Sequence, residues 1–252
     1  MKGDSLVFRK LFLAALVTLF AACARTEAPV RPSCPAGKVC LHRGNTSEPV
    51  SLDPHRTSGT WENRIISDMI QGLFDLDPDG RPVPAMAESW TTSPDGLTWT
   101  FRLRDTVWSD GVPVTAEDFV YAYRRILKPE TASQYSFLLY ALVNGQAINE
   151  GRAAPETLGA RALDARTLQL TLNNPAPYLP ELTTHYSFYP LPRHVVEAKG
   201  AAWIRPGNYV SNGPYILADW RQGDRVRTVR NPRFWDNANV CYDEVYFYPT
   251  VD

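Results

Sequence analysis

Apolar residues follow two rhythms along this chain. Trp99, Phe101 and Leu103 alternate with Thr100, Arg102 and Arg104, which predicts a strand with one buried face. Phe119, Val120, Tyr123, Ile126 and Leu127 then recur at helical spacing until Pro129 stops the run. Ser109-Asp110-Gly111 supplies turn chemistry between the two. Thr115 with Asp118 three residues later is close to a capping box, so Glu117 and Asp118 fall in the first helical turn, where the helix dipole favours negative charge. A catalytic carboxylate pair faces itself across a cleft, whereas adjacent helical residues diverge. The pair is therefore read as a helix start.

The same rhythms extend over the rest of the chain. Ile65, Ile66, Met69, Ile70 and Leu73 form a helical stripe within residues 61–74, and a second helix is predicted over residues 136–148. Leu168, Leu170 and Leu172 mark another alternating strand, and residues 197–203 a short helix. Residues 215–220 and 225–230 read as a hairpin through Gln222-Gly223-Asp224, with short strands at 39–42 and 245–248. Asp77-Pro78-Asp79-Gly80, Pro94-Asp95-Gly96 and Ser51-Leu52-Asp53-Pro54 are turns. No internal repeat interrupts the pattern. The fold class is α+β (mixed α/β), with mixed sheets.

Composition bounds what such a fold does. The 252 residues carry a net charge of −1 and are 44% hydrophobic, enough for one or two domains with a core and without the basic excess of a nucleic-acid surface. Lys2, Arg9 and Lys10 precede the apolar run 11–22, which is too short to span a membrane and reads as an export signal over residues 1–22. Phe20-Ala21-Ala22-Cys23 is similar to a lipobox, which makes Cys23 the expected lipidation site and a lipid anchor the only membrane attachment. Cleavage near Ala22 without lipid is the alternative. Residues 23–38 are proline-rich and read as a tether. In an exported protein Cys34 and Cys40 are candidates for a disulfide, leaving Cys241 single.

Catalytic signatures do not occur. There is no GxSxG, P-loop, HExxH or glycine-rich dinucleotide turn, and His42, His55, His185 and His194 lie at spacings unlike those of metal ligands. No enzyme, cofactor or metal is expected. Tyr135, Tyr140, Tyr186 and Tyr189 stand in turn-rich sequence, where ring faces with a polar tip suit a ligand pocket.

The stretch WTFRLRDTVWSDGVPVTAEDFVYAYRRIL, residues 99–127, resembles the signature region of the family 5 extracellular solute-binding proteins. Upstream, EPVSLDPH (48–55) and QGLF (71–74) are similar to the family's opening. Downstream, PAPY (175–178), SNGPY (211–215) and RNPRFWD (230–236) are similar to its later landmarks. The resemblance runs from about residue 39 to 251 and is strongest to the oligopeptide-binding branch.

It implies a periplasmic binding protein of class II that hands oligopeptides to the permease subunits of an ABC transporter. Domain I would be discontinuous, residues 39–70 and 193–252, with domain II at 71–192. The branch implies that Ser58, Gly59 and Thr60 receive the peptide as an added strand, that Tyr135 contacts its backbone, and that His185 lies near the same cleft. Ser58 stands where the branch commonly has an acidic residue, so no preference for basic side chains is implied. Family members are considerably longer, and the expectation is one lobe only, a fragment or truncated form with the second lobe missing. The alternatives are an envelope scaffold lipoprotein that has lost transport and, with less behind it, a hydrolase using dispersed carboxylates.

Overall fold

One mixed sheet, one antiparallel sheet and an amphipathic helix carry most of the core. The computed structural model describes residues 32–250. All the elements named here lie in the compact unit that begins at Gly37. Its first half contains β1 (Cys40–Gly44), α1 (Thr60–Met69), β2 (Phe74–Leu76), β3 (Pro82–Pro84), β4 (Ala87–Thr92), β5 (Thr98–Leu103) and α2 (Ala116–Leu127). Then follow α3 (Gly145–Asn149), β6 (Ala160–Asp164), β7 (Thr167–Thr171), α4 (Leu179–Leu182), α5 (Arg193–Lys199), β8 (Tyr215–Arg221), β9 (Arg225–Arg230) and β10 (Glu244–Tyr248). Among the described residues no helix is long and apolar enough to cross a membrane.

One four-stranded sheet runs β1-β10-β9-β8, and β1 lies parallel to β10. The other runs β4-β5-β7-β6, antiparallel throughout. On β5 the predicted alternation holds: Trp99, Phe101 and Leu103 are buried. They meet Leu168 and Leu170 of β7, and α2 packs Phe119, Val120, Tyr123, Ile126 and Leu127 over that sheet.

Asp118 closes the capping box. Its Oδ2 accepts from the Thr115 N–H at 2.8 Å, the Thr115 hydroxyl at 3.1 Å and the Trp108 indole at 3.4 Å. Burial raises its pKa despite these bonds. The carboxylate is a structural acceptor, and Glu117 beside it is exposed.

Three expectations change. The helix predicted over 61–74 ends at Met69, with Ile70 extended. Tertiary bonds take over there: the Gly213 N–H donates to Met69 O, and the Asn212 side chain both accepts from the Gln71 N–H and donates to its carbonyl. A Cβ on Gly213 would sit 2.7 Å from the Met69 carbonyl carbon, so only glycine permits this approach. The helix predicted over 136–148 breaks into a 3-10 stretch at Ser136–Ala141 and the short α3, because Leu142 bridges to Leu172 and Asn144 turns left-handed at φ 62°. The helix predicted over 197–203 begins earlier, at Arg193, and gives way at Gly200 to a 3-10 turn.

Cys34 and Cys40 are each disulfide-bonded, and Cys241 carries an exposed free thiol. Cys23 lies outside the described residues.

Candidate functional site

Segment 51–60 leads from β1 into α1 and is held from several sides. Asp53 accepts from the His55 N–H at 3.0 Å, and Arg125 of α2 donates to both carboxylate oxygens, Nη1 to Oδ1 at 3.0 Å and Nη2 to Oδ2 at 2.6 Å. Arg125 Nη1 also lies 2.8 Å from His55 Nδ1. A guanidinium only donates, so Nδ1 must accept and the ring proton must sit on Nε2. Burial and the neighbouring Arg125 charge push the His55 pKa down to about 3, so the ring is neutral. Burial alone would raise the Asp53 carboxyl, but hydrogen bonding and charge from Arg125 hold it below the usual range.

Tyrosine hydroxyls then fix the carbonyls of the segment. Tyr209 donates to Leu52 O at 3.2 Å, Tyr186 to Thr57 O at 3.2 Å and Tyr135 to Ser58 O at 3.3 Å. Beyond them Ser58 and Thr60 are exposed, and Gly59 is the extended residue preceding α1, at φ −88° and ψ 149°. Among the described residues the N–H groups of Ser58 and Gly59 have no hydrogen-bond partner. A side chain at Gly59 would displace its neighbours: an ideal Cβ would stand 2.1 Å from Glu62 Oε2 and 2.5 Å from Trp61 Cε2. Glu62 itself is buried and accepts from the Val50 N–H at 3.0 Å.

An aromatic cluster borders this strip. His185 stacks on Tyr186 with ring centroids 4.2 Å apart and meets the edge of Tyr135 at 4.9 Å, while Tyr135 and Tyr186 lie 5.8 Å apart. His185 Nδ1 accepts from the Ser187 N–H at 3.2 Å, and burial lowers its pKa to about 4. The structure therefore gathers Ser58, Gly59, Thr60, Tyr135 and His185 into one place.

Tyr186, read as a pocket ring, is a buried member of this cluster. Other candidates lie elsewhere. Tyr189 is buried and shares a hydrogen bond with Ser67 at 3.3 Å. Tyr140 donates to Asn149 Oδ1 at 2.7 Å and serves the 3-10 stretch. His42 stacks on Tyr246, and His194 pairs with Asp110. Sequence reasoning missed the Asp53–Arg125–His55 cluster, treating Asp53 only as a turn residue. The available signal was Arg125 itself, a cation on a helix beside the apolar stripe.

Comparison with known proteins places this geometry. The profile described as "Bacterial extracellular solute-binding proteins, family 5 Middle" matches residues 81–252. The periplasmic oligopeptide-binding protein OppA of Escherichia coli K12 is 44% identical over 217 residues, which are 85% of this chain and 40% of OppA. The solved structure of the Escherichia coli murein tripeptide-binding protein MppA superposes with a TM-score of 0.82 at 39% identity, covering 85% of this chain and 42% of that one. Haemophilus influenzae OppA in complex with RPPGFSPFR gives a TM-score of 0.81 at 40% identity, covering 84% and 42%. The chain thus spans about 40% of the length of the curated relatives it matches.

Proposed function

This chain belongs to the family 5 bacterial extracellular solute-binding proteins, and from that premise we propose that it captures oligopeptides in the periplasm for the permease subunits of an ABC transporter. The ligand adds as a strand along Ser58, Gly59 and Thr60, flanked by Tyr135 and His185. The observation that carries this reading is the exposed strip, whose Ser58 and Gly59 N–H groups lack partners among the described residues while tyrosine hydroxyls orient its carbonyls. Relatives named for oligopeptide binding support the ligand class.

Domain I comprises residues 39–70 and 193–252, and domain II residues 71–192. One sheet drawn from residues 40–44 and 215–248 and another from 87–171 support that division. Cys34 and Cys40 pair with each other, a reading supported by their both being disulfide-bonded while Cys241 is free. Cys23 carries the lipid anchor.

Amide chemical shifts test the binding mode. Adding tri- to pentapeptides should move the Ser58, Gly59 and Thr60 amides first. Shifts confined to other regions, or none at millimolar peptide, would overturn the proposal.

A further inference from the structure

A cavity of about 410 Å³ lies along the outer face of α2, and charges of both signs line it. Arg124 and Lys128 stand four residues apart, so they share that face at the C-terminal end of the helix. Arg56, from the segment that leads to the exposed strip, lines the same cavity. Two 3-10 turns, Pro129–Thr131 and Pro155–Thr157, contribute Glu130 and Glu156 to its walls.

Among the described residues none of these five charges has an ionic partner within reach. The other charges of the lining are committed or remote. Arg125 holds Asp53, and Arg193 pairs with Glu197 at 2.9 Å. Glu117 lies two helical turns before Arg124, about 10 Å along the axis. The Nε–H of Arg124 is buried and, among the described residues, has no acceptor. Buried donors are normally paired, so this one marks a missing acceptor oxygen. Single charges on a convex surface are simply solvated. Within a concave site their fields add, and an ion of matching charge is held more firmly.

We propose that this cavity binds a small zwitterion of the amino-acid class, with its carboxylate on Arg124, Lys128 and Arg56 and its ammonium on Glu130 and Glu156. Charge balance decides the class. A simple anion would suit the three cations but face two carboxylates, and a simple cation would meet the reverse. A zwitterion satisfies both walls at once. Arginine donates in a fork that matches a carboxylate, and the three donors of an ammonium suit a pair of carboxylates. The lining includes none of Ser58, Gly59, Thr60, Tyr135 and His185, so the site goes beyond strand addition and stands without it.

The probe is γ-aminobutyrate, which carries both charges and no peptide backbone that could add as a strand. Heteronuclear NMR of the chain follows the Arg56 and Arg124 Nε–H signals, with butyrate and butylamine as half-ligands. Saturable shifts are expected with γ-aminobutyrate, and each half-ligand should bind at least about tenfold more weakly. Arg124→Gln and Glu156→Gln should each weaken γ-aminobutyrate about tenfold, while the remaining amide spectrum keeps its folded dispersion. Butyrate binding as tightly as γ-aminobutyrate would overturn the proposal by making this a plain anion site. Weakening by Arg124→Gln without weakening by Glu156→Gln would do the same. The absence of a saturable shift, or shifts at the Ser58 and Gly59 amides in place of Arg124, would also overturn it.

Discussion

Arg125 and Asp53 stand 72 residues apart in sequence, yet the guanidinium grips both carboxylate oxygens at 3.0 and 2.6 Å. The side chains are only 15% and 5% exposed. This fork ties the approach to the exposed strip onto the amphipathic helix α2. Its planar geometry suits arginine, because lysine offers no matching pair of donors.

Removing one partner strands the other as a buried charge. Arg125→Met is expected to lower unfolding stability by about 3–5 kcal/mol. The double variant Asp53→Asn with Arg125→Met should lose less than Arg125→Met alone, since no uncompensated charge remains. Urea denaturation of the three proteins decides; a double variant no more stable than Arg125→Met would contradict the account.

Acid stability follows from the buried titrating groups. His55 and His185 are lowered by burial to about 3 and about 4. A base with a lowered folded pKa refuses a proton that the unfolded chain accepts. Stability therefore falls as pH drops below about 6.5, by roughly 1.4 kcal/mol per pH unit for His55 and less for the partly solvated His185. Asp68 acts oppositely: burial raises it to about 6, so between about pH 6 and 4 the folded state holds a proton the unfolded state has lost. Asp68→Asn should accordingly steepen the loss of stability across that window, and His55→Gln should flatten it. Urea midpoints at pH 7, 6, 5 and 4 report the slopes, and an unchanged slope in Asp68→Asn would refute the assignment.

Gly59→Ala drives a methyl into the Glu62 carboxylate and the Trp61 ring. Overpacking of this kind costs about 1–3 kcal/mol. Thermal melts should show the loss, and wild-type stability would mean that Glu62 moves aside freely.

Tyr135→Phe removes a single hydroxyl donor to Ser58 O. That bond is exposed, so stability should change by less than about 1 kcal/mol, whereas peptide affinity should fall severalfold if the hydroxyl positions the strip. Affinity equal to wild type would separate Tyr135 from the site.

Lipidation at Cys23 predicts diacylglycerol on that residue when the envelope protein is analysed by mass spectrometry. An unmodified mature N-terminus would remove the anchor and leave export intact.

Where one local rule governed, the fold was readable in the sequence. Phe101 and its neighbours alternate because one face of β5 is buried, and Thr115 and Asp118 announce the start of α2. Legibility failed where a distant group overrides a local tendency. Residues 136–148 have helical spacing, yet Leu142 pairs with Leu172 and Asn144 turns the chain. Strand β4 was not anticipated because five of its six residues are exposed, which leaves no alternation to detect. Ser58, Gly59, Thr60, Tyr135 and His185 came from family resemblance, and local pattern alone singled out only Tyr135. The clamp of Arg125 on Asp53 is invisible to any short window.

The parallel pairing of β1 with β10 imposes a schedule on synthesis. Cys40 aligns with Glu244 and Gly44 with Tyr248, so the earliest strand waits about two hundred residues for its neighbour. Closing so long a loop is entropically slow, and contacts of this separation retard folding. A growing chain therefore leaves the ribosome with the sheet of β1 unassembled. Stalled nascent chains ending before Glu244 should expose residues 40–44 to protease, whereas the released protein should protect them.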